Sequence, residues 1–236
     1  MITYLILGIF AGFLTGMLGI GGGVFIVPAL VFIFRHEPLL SPHIVQTAAG
    51  TSLAIVAFNA LISVAAYQKN QCIDWSIVKR LLPSLFAGSL IGITVANLVN
   101  NHFLAQILGV FLILLAIEMQ FRKRHSTGEA ISPPSRVLNT VGIFSGTMAS
   151  LVGIGGGVII IPFLTHYQFS IQRAAGTAVA CALFISSIST INLMLLPRLL
   201  QHSEISYIFL LSLFSIIPTS IIFSWFGARI ANNLPS

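Results

Sequence analysis

The chain has 236 residues, 56% of them hydrophobic and only 7% charged, with a mean hydropathy of +1.00. A soluble domain carries about 25% charged residues, so this chain cannot cover a soluble surface and reads as an all-α polytopic membrane protein. Its 11 Lys and Arg against 5 Asp and Glu give a net charge of +6. Spread over membrane loops, that excess sets orientation in the lipid bilayer and does not mark a nucleic-acid partner.

Uncharged runs occupy residues 1–34, 38–68, 81–117, 137–172, 174–197 and 205–228, and about 20 apolar residues span the hydrocarbon. The run 81–117 holds two spans, turned at Asn97, Asn100, Asn101 and His102, which predicts helices at 79–98 and 103–121. Runs 1–34 and 137–172 each contain a full span, then Gly-Ile-Gly-Gly-Gly-Val at 19–24 and 153–158, then about ten apolar residues, too few to cross alone. Each Gly costs a helix interior about 1 kcal/mol against Ala. The helix therefore breaks there, and each unit becomes one long helix plus a half-helix. Such a unit either crosses once in total or forms a re-entrant hairpin.

Counting one crossing per unit gives about seven transmembrane spans: 2–34, 43–68, 79–98, 103–121, 137–166, 174–197 and 205–230. This count puts Lys69, Lys79, Arg80, Arg122, Lys123, Arg124, Arg136 and Arg198 on one side and leaves Arg35, Arg173 and Arg229 on the other. Cytoplasmic loops carry the Lys/Arg excess, so the N-terminus is expected to be cytoplasmic. The organisation expected is a first repeat at 1–121 with about four helices, a polar cytoplasmic linker at 122–136, and a second repeat at 137–236 with about three.

The repeat is explicit in the residues. Sliding 8–30 onto 142–164 gives 13 identities in 23 positions, and Gln46-Thr47-Ala48-Ala49-Gly50-Thr51 answers Gln172-Arg173-Ala174-Ala175-Gly176-Thr177. Pro83, Gly92 and Ala96 match Pro218, Gly227 and Ala231 more weakly. Four crossings in the first half make the repeats parallel; one crossing fewer or more makes them inverted. Repeat-built transporters place their site at the repeat interface, and paired Gly/Pro-interrupted segments point to it.

The candidate solute site is therefore Gly19, Gly21, Gly22, Gly23, Val24 and Pro28 with Gly153, Gly155, Gly156, Gly157, Val158 and Pro162. A half-helix N-terminus offers unpaired N–H groups to an anion. Pro28 and Pro162 lack an N–H and free the carbonyls of Val24 and Val158. The alternative is that these glycines only let helices cross closely, the role assigned to Gly8, Gly12, Gly16, Gly88, Gly92, Gly142 and Gly146. Gln46, Thr51, Gln172 and Thr177 stand at the start of the second helix of each half, as caps or as solute contacts.

No Asp or Glu falls in the middle of a span, so a carboxylate proton relay has no support. No His/Cys/carboxylate cluster has metal spacing, no cofactor fingerprint is complete, and no nucleophile–base pair suggests an enzyme.

The doubled pattern of a Gly-rich helix, Gly-Ile-Gly-Gly-Gly, a Pro five residues on and an Ala-Ala-Gly-Thr helix start resembles the sulfite exporter TauE/SafE family. That resemblance implies a multi-pass protein of the bacterial inner (plasma) membrane, usually with eight helices, carrying small anions such as sulfite, organosulfonates or carboxylates. It also implies that the Gly turns with Pro28 and Pro162 line the path. The chain departs from the pattern in Ser150, which replaces a Gly, in Phe223 opposite Gly88, and in having no counterpart of helix 103–121 before Ser236. The function expected is secondary transport of a small anion, with an anion channel or passive facilitator, or a non-transporting membrane subunit, as the alternatives.

Overall fold

The computed structural model describes residues 2–18, 22–35, 44–121, 131–195 and 203–233. These form nine α-helices: α1 (Ile2–Leu18), α2 (Gly23–Phe34), α3 (Ile44–Lys69), α4 (Trp75–Leu98), α5 (Asn101–Phe121), α6 (Ser135–Val152), α7 (Gly157–His166), α8 (Ile171–Leu195) and, for the last, α9 (Ser203–Asn233). The boundaries follow local chemistry. Asp74 caps α4 by accepting the amides of Ser76 and Ile77 at 3.1 and 3.2 Å, and Gly153 ends α6 in the left-handed conformation.

The chain folds as a polytopic helical membrane protein. Helices α3, α4 and α8 are long and apolar enough to cross a membrane on length and composition. Leu98 is 79% exposed and Phe214 74%, a surface that suits lipid and would be a liability in water.

At the centre lie α3 and α8, each flanked by a pair of helices. On one flank α1 runs along α9, and both lie against α3; on the other α4 runs along α6, with α4 against α8. The half-helix α2 lies on α3 and α7 on α8. Exchanging α1, α2, α3 and α4 for α6, α7, α8 and α9 reproduces these main packing partners.

The glycine ladders set the flanking contacts. Gly8 and Gly12 face Thr219 and Ser220, and Gly227 faces Phe13; likewise Gly142 faces Ser84, Gly88 faces Ile143 and Gly92 faces Thr147. An added Cβ at Gly12, Gly88 or Gly92 would collide with backbone on the partner helix, so these glycines do bring helix axes together. The sequence numbers rise together within each pair, so α1 runs parallel to α9 and α4 to α6.

The orientation of the Gly-broken units is also fixed. The Ile131 amide, just before α6, donates to the Tyr167 carbonyl at the end of α7 at 3.0 Å. Gly156, at the start of α7, lies against Ser145 and Ala149 of α6. Thus α6 and α7 fold back on each other. The first unit does the same, with Gly22 over Ala11 and Thr15, and Leu30 and Phe34 clustered with Tyr4 and Leu7. Of the two arrangements open to these units, the structure adopts the hairpin.

Each hairpin returns the chain to the side it came from and so reverses the helix that comes after it. Gly176 near the start of α8 meets Cys72 and Tyr67 at the end of α3, so α3 and α8 are antiparallel. Helices α1, α3 and α9 run one way, and α4, α6 and α8 the other. The segments matched in sequence are therefore inverted relative to one another, and not parallel.

The same reversal corrects the expected distribution of charge. Arg173, expected opposite Lys79 and Arg80, forms an ion pair with Asp74 at 3.3 Å. Arg229 lies just beyond Ser224, which bonds Ser63 of α3, and so belongs to the same end. Lys69, Lys79, Arg80, Arg136, Arg173 and Arg229 gather at that end; among the described Lys and Arg residues only Arg35 lies at the other. Residues 122–124 and Arg198, also used in the expected count, lie outside the described residues.

Candidate functional site

The two glycine turns meet. Gly23 packs so closely on the second turn that a Cβ there would lie 2.5 Å from the Gly153 oxygen and 2.6 Å from the Ile154 Cα. Val24 and Val27 of α2 share an apolar cluster with Ile154 and Val158. Both half-helices thus begin at one place.

The two copies share a backbone conformation where each half-helix begins. Gly22 has φ 66 and ψ −20, and Gly156 has φ 73 and ψ −18; each is the residue before a half-helix. Any other L-residue pays about 1–2 kcal/mol in this region, which is why glycine recurs here. In the second turn Gly153 and Gly155 are also left-handed.

Polar satisfaction at the second turn is partial. Ser52 of α3 donates to the Gly153 carbonyl at 2.8 Å, and Ser145 of α6 donates to the Gly156 carbonyl at 3.2 Å. The Gly157 amide is used locally, bonding Gly155 O at 2.9 Å. Among the described residues, no hydrogen-bond partner meets the amides of Gly155, Gly156 and Val158, though all three residues are buried. Unpaired N–H groups at a half-helix start carry partial positive charge. The turn also lies halfway along the central helices, with Gly155 between Val56 of α3 and Ala182 of α8.

The expected site residues divide into three groups. Gly22, Gly23, Val24, Gly153, Gly155, Gly156, Gly157 and Val158 come together, with Pro28 and Pro162 one turn farther along α2 and α7. Gly19 and Gly21 lie outside the described residues. The polar set has other partners: Gln46 donates to the carbonyls of Ala96 and Val99 at the α4–α5 corner, and Thr51 bonds back to Thr47 O. Thr177 accepts the Asp74 amide at 3.0 Å, where α8 meets the α3–α4 loop. Gln172 sits in the first turn of α8, at that same basic end. Ser52 and Ser145, which sequence reasoning passed over, are the hydroxyls on the second turn.

The basic end is tied by polar bonds. Arg80 holds Ser132 Oγ at 3.0 Å, Pro133 O at 3.1 Å and Ser135 Oγ at 3.0 Å. Cys72 lies in the α3–α4 loop beside Arg173; partial burial pushes its thiol above the ordinary range, and the guanidinium opposes that shift.

Paired re-entrant glycine turns inside a helical membrane fold, each preceding a half-helix, agree with what the whole sequence matches: the model of the family described as sulfite exporter TauE/SafE fits residues 4–236. The chain belongs to the sulfite exporter TauE/SafE family. It is 31% identical to a probable membrane transporter protein of Haemophilus influenzae over 98% of this chain and 89% of that one. A probable membrane transporter protein of Methanocaldococcus jannaschii is 33% identical over 74% of this chain and 65% of its own length. One from Bacillus subtilis is 28% identical over 80% and 76%. No solved structure matches the chain. As a TauE/SafE member with long apolar helices, it is a multi-pass protein of a membrane transporter family.

Proposed function

We propose that this protein is a secondary transporter that moves a small anion, such as sulfite, an organosulfonate or a related carboxylate, across the bacterial plasma membrane. The observation that carries this reading is the meeting of the two half-helix N-termini at Gly22–Gly23 and Gly153–Val158, midway along the crossing helices. Amide hydrogens there offer positive potential without a cationic side chain, and hydrocarbon around them strengthens the attraction. A broken backbone at this depth survives only where it is packed in protein or lines a cavity, and transport uses it in both ways in turn.

The inverted direction of α1–α4 against α6–α9 supports two homologous repeats that exchange roles as access alternates. The charge distribution supports an orientation. Cytoplasmic ends carry the Lys/Arg excess, which favours a cytoplasmic position for the end holding Lys79, Arg80 and Arg173. The start of α1 then lies on the opposite side, the reverse of the N-terminal orientation expected from one crossing per glycine unit.

The test is counterflow of labelled sulfite in proteoliposomes. A carrier accelerates exchange when unlabelled sulfite is trapped inside, whereas a passive facilitator gives flux without trans-stimulation. Absence of saturable sulfite, sulfoacetate or carboxylate flux from well-folded protein removes this reading.

A further inference from the structure

Gly22 and Gly156 share a backbone conformation but differ in surroundings. At the second, Ile185 of α8 stands over Gly156, its Cδ1 placed 2.5 Å from where a Cβ would be. The motif match that aligns Thr51 with Thr177 aligns Asn59 with Ile185. Asn59 is completely buried. Its Oδ1 takes the Ser220 hydroxyl at 2.9 Å, while its Nδ2, with two hydrogens to donate, has no partner among the described residues.

Register places this amide at the first turn. Ile26 of α2 and Ile55 of α3 belong to one cluster with Ala11. Because α2 runs against α3, four residues forward from Ile55 to Asn59 correspond to four residues back from Ile26 to Gly22. Ser220, bonded to Asn59, is the residue on which Gly12 of α1 packs, and the neighbouring Ala11 and Thr15 lie over Gly22. A buried donor left unpaired is costly, and such groups call for an explanation.

We propose that Asn59 is a solute-binding residue, its carboxamide N–H groups donating to an oxygen of the transported anion at the first glycine turn. Asn59 then gives the solute a side-chain donor beside Gly22, where the matching position at Gly156 holds Ile185. This inference rests on the transport reading above and adds to it the side chain that recognises the solute.

The experiment compares wild type, Asn59→Leu and Asn59→Asp, purified in detergent and reconstituted, by sulfite-induced thermal shift and by counterflow half-saturation. Leu branches at Cγ as Asn does and has no donor to leave unpaired, and Ser220 retains the Ile217 carbonyl at 3.1 Å. Asn59→Leu should therefore melt at or above the wild-type temperature while its half-saturation for sulfite rises by about 10-fold or more. Asn59→Asp keeps the shape and replaces the donors with acceptors; it should lose the sulfite-induced shift. An Asn serving only to join α3 to α9 predicts the opposite, a lower melting temperature in Asn59→Leu with half-saturation unchanged, and that result overturns the assignment. Wild-type flux with unaltered solute affinity in both variants overturns it alone, whereas a wild type without flux overturns the transport reading and this inference together.

Discussion

Replacing Gly23 with Ala isolates the contact between the two turns. Gly23 is the first residue of α2 and is not in the left-handed region, so Ala there adds no backbone strain and improves helix propensity by up to about 1 kcal/mol. Against this, the new Cβ would stand 2.5 Å from Gly153 O and 2.6 Å from Ile154 Cα, about 0.5 Å inside the closest approach that Cβ atoms make. Both obstacles are main chain, and neither can rotate aside. Overpacking of this kind costs about 1–3 kcal/mol, so the net effect is a destabilisation of about 1–2 kcal/mol. In a chain of this size that corresponds to an apparent melting temperature lower by about 5 °C. Gly109→Ala is the control, because nothing lies within 4 Å of its Cβ position, and it should melt at or slightly above the wild-type temperature. Flux should separate the variants further: Gly23→Ala holds the half-helix starts apart and loses most sulfite counterflow, while Gly109→Ala keeps it. If Gly23→Ala matches wild type in both melting and flux, the two turns are not in contact.

The remaining predictions concern the basic end. A membrane-impermeant maleimide should label Cys72 in inside-out vesicles and not in intact cells, with the fully buried Cys181 unlabelled in both; labelling of Cys72 in intact cells reverses the orientation. Because the Cys72 thiol is raised and Arg173 lowers it, labelling should accelerate with rising pH, and Arg173→Gln should slow it at any pH near neutral. Asp74→Ala removes the α4 cap and the Arg173 partner together and should lower stability by about 1 kcal/mol, whereas Asp74→Asn, which still caps, should lose little in a thermal melt. Arg80→Ala removes three bonds to residues 132–135; proteolysis of that segment in inside-out vesicles should become faster.

Hydropathy located the helices within a few residues. The expected spans 43–68, 79–98 and 103–121 became Ile44–Lys69, Trp75–Leu98 and Asn101–Phe121, and the doubled hexapeptide pointed to two turns that do touch. Direction was not readable in the same way. An apolar run states its length, whereas the return of α7 along α6 shows only in tertiary contacts, such as the backbone bond from Ile131 to Tyr167, that carry no residue signature. The errors on Arg173 and Arg229 come from that single parity. The hydroxyls on the second turn, Ser52 and Ser145, were hidden for a different reason. A Ser within a helix ordinarily bonds its own backbone, as Thr51 and Ser186 do here, so nothing in the sequence distinguishes the two that reach across.

The packing also constrains how such a protein can move. The most extensive contacts join α1 to α9 and α4 to α6, each pair drawn from opposite halves of the sequence, so residues 1–121 and 137–236 are interleaved and are not two bodies facing each other. Within those pairs glycine lies directly on the partner's main chain at Gly12, Gly88 and Gly92, and sliding one helix past the other would drive side chains into those contacts. Hydroxyl pairs, by contrast, join these units to the central helices, Ser150 of α6 to Ser189 of α8 and Ser63 of α3 to Ser224 of α9. Such contacts can exchange partners at little cost, because each hydroxyl is both donor and acceptor. On the transport reading proposed above, alternating access would rock the α1–α9 and α4–α6 pairs as rigid units about α3 and α8. The glycine turns, attached to one member of each pair, are carried apart and together by the same motion.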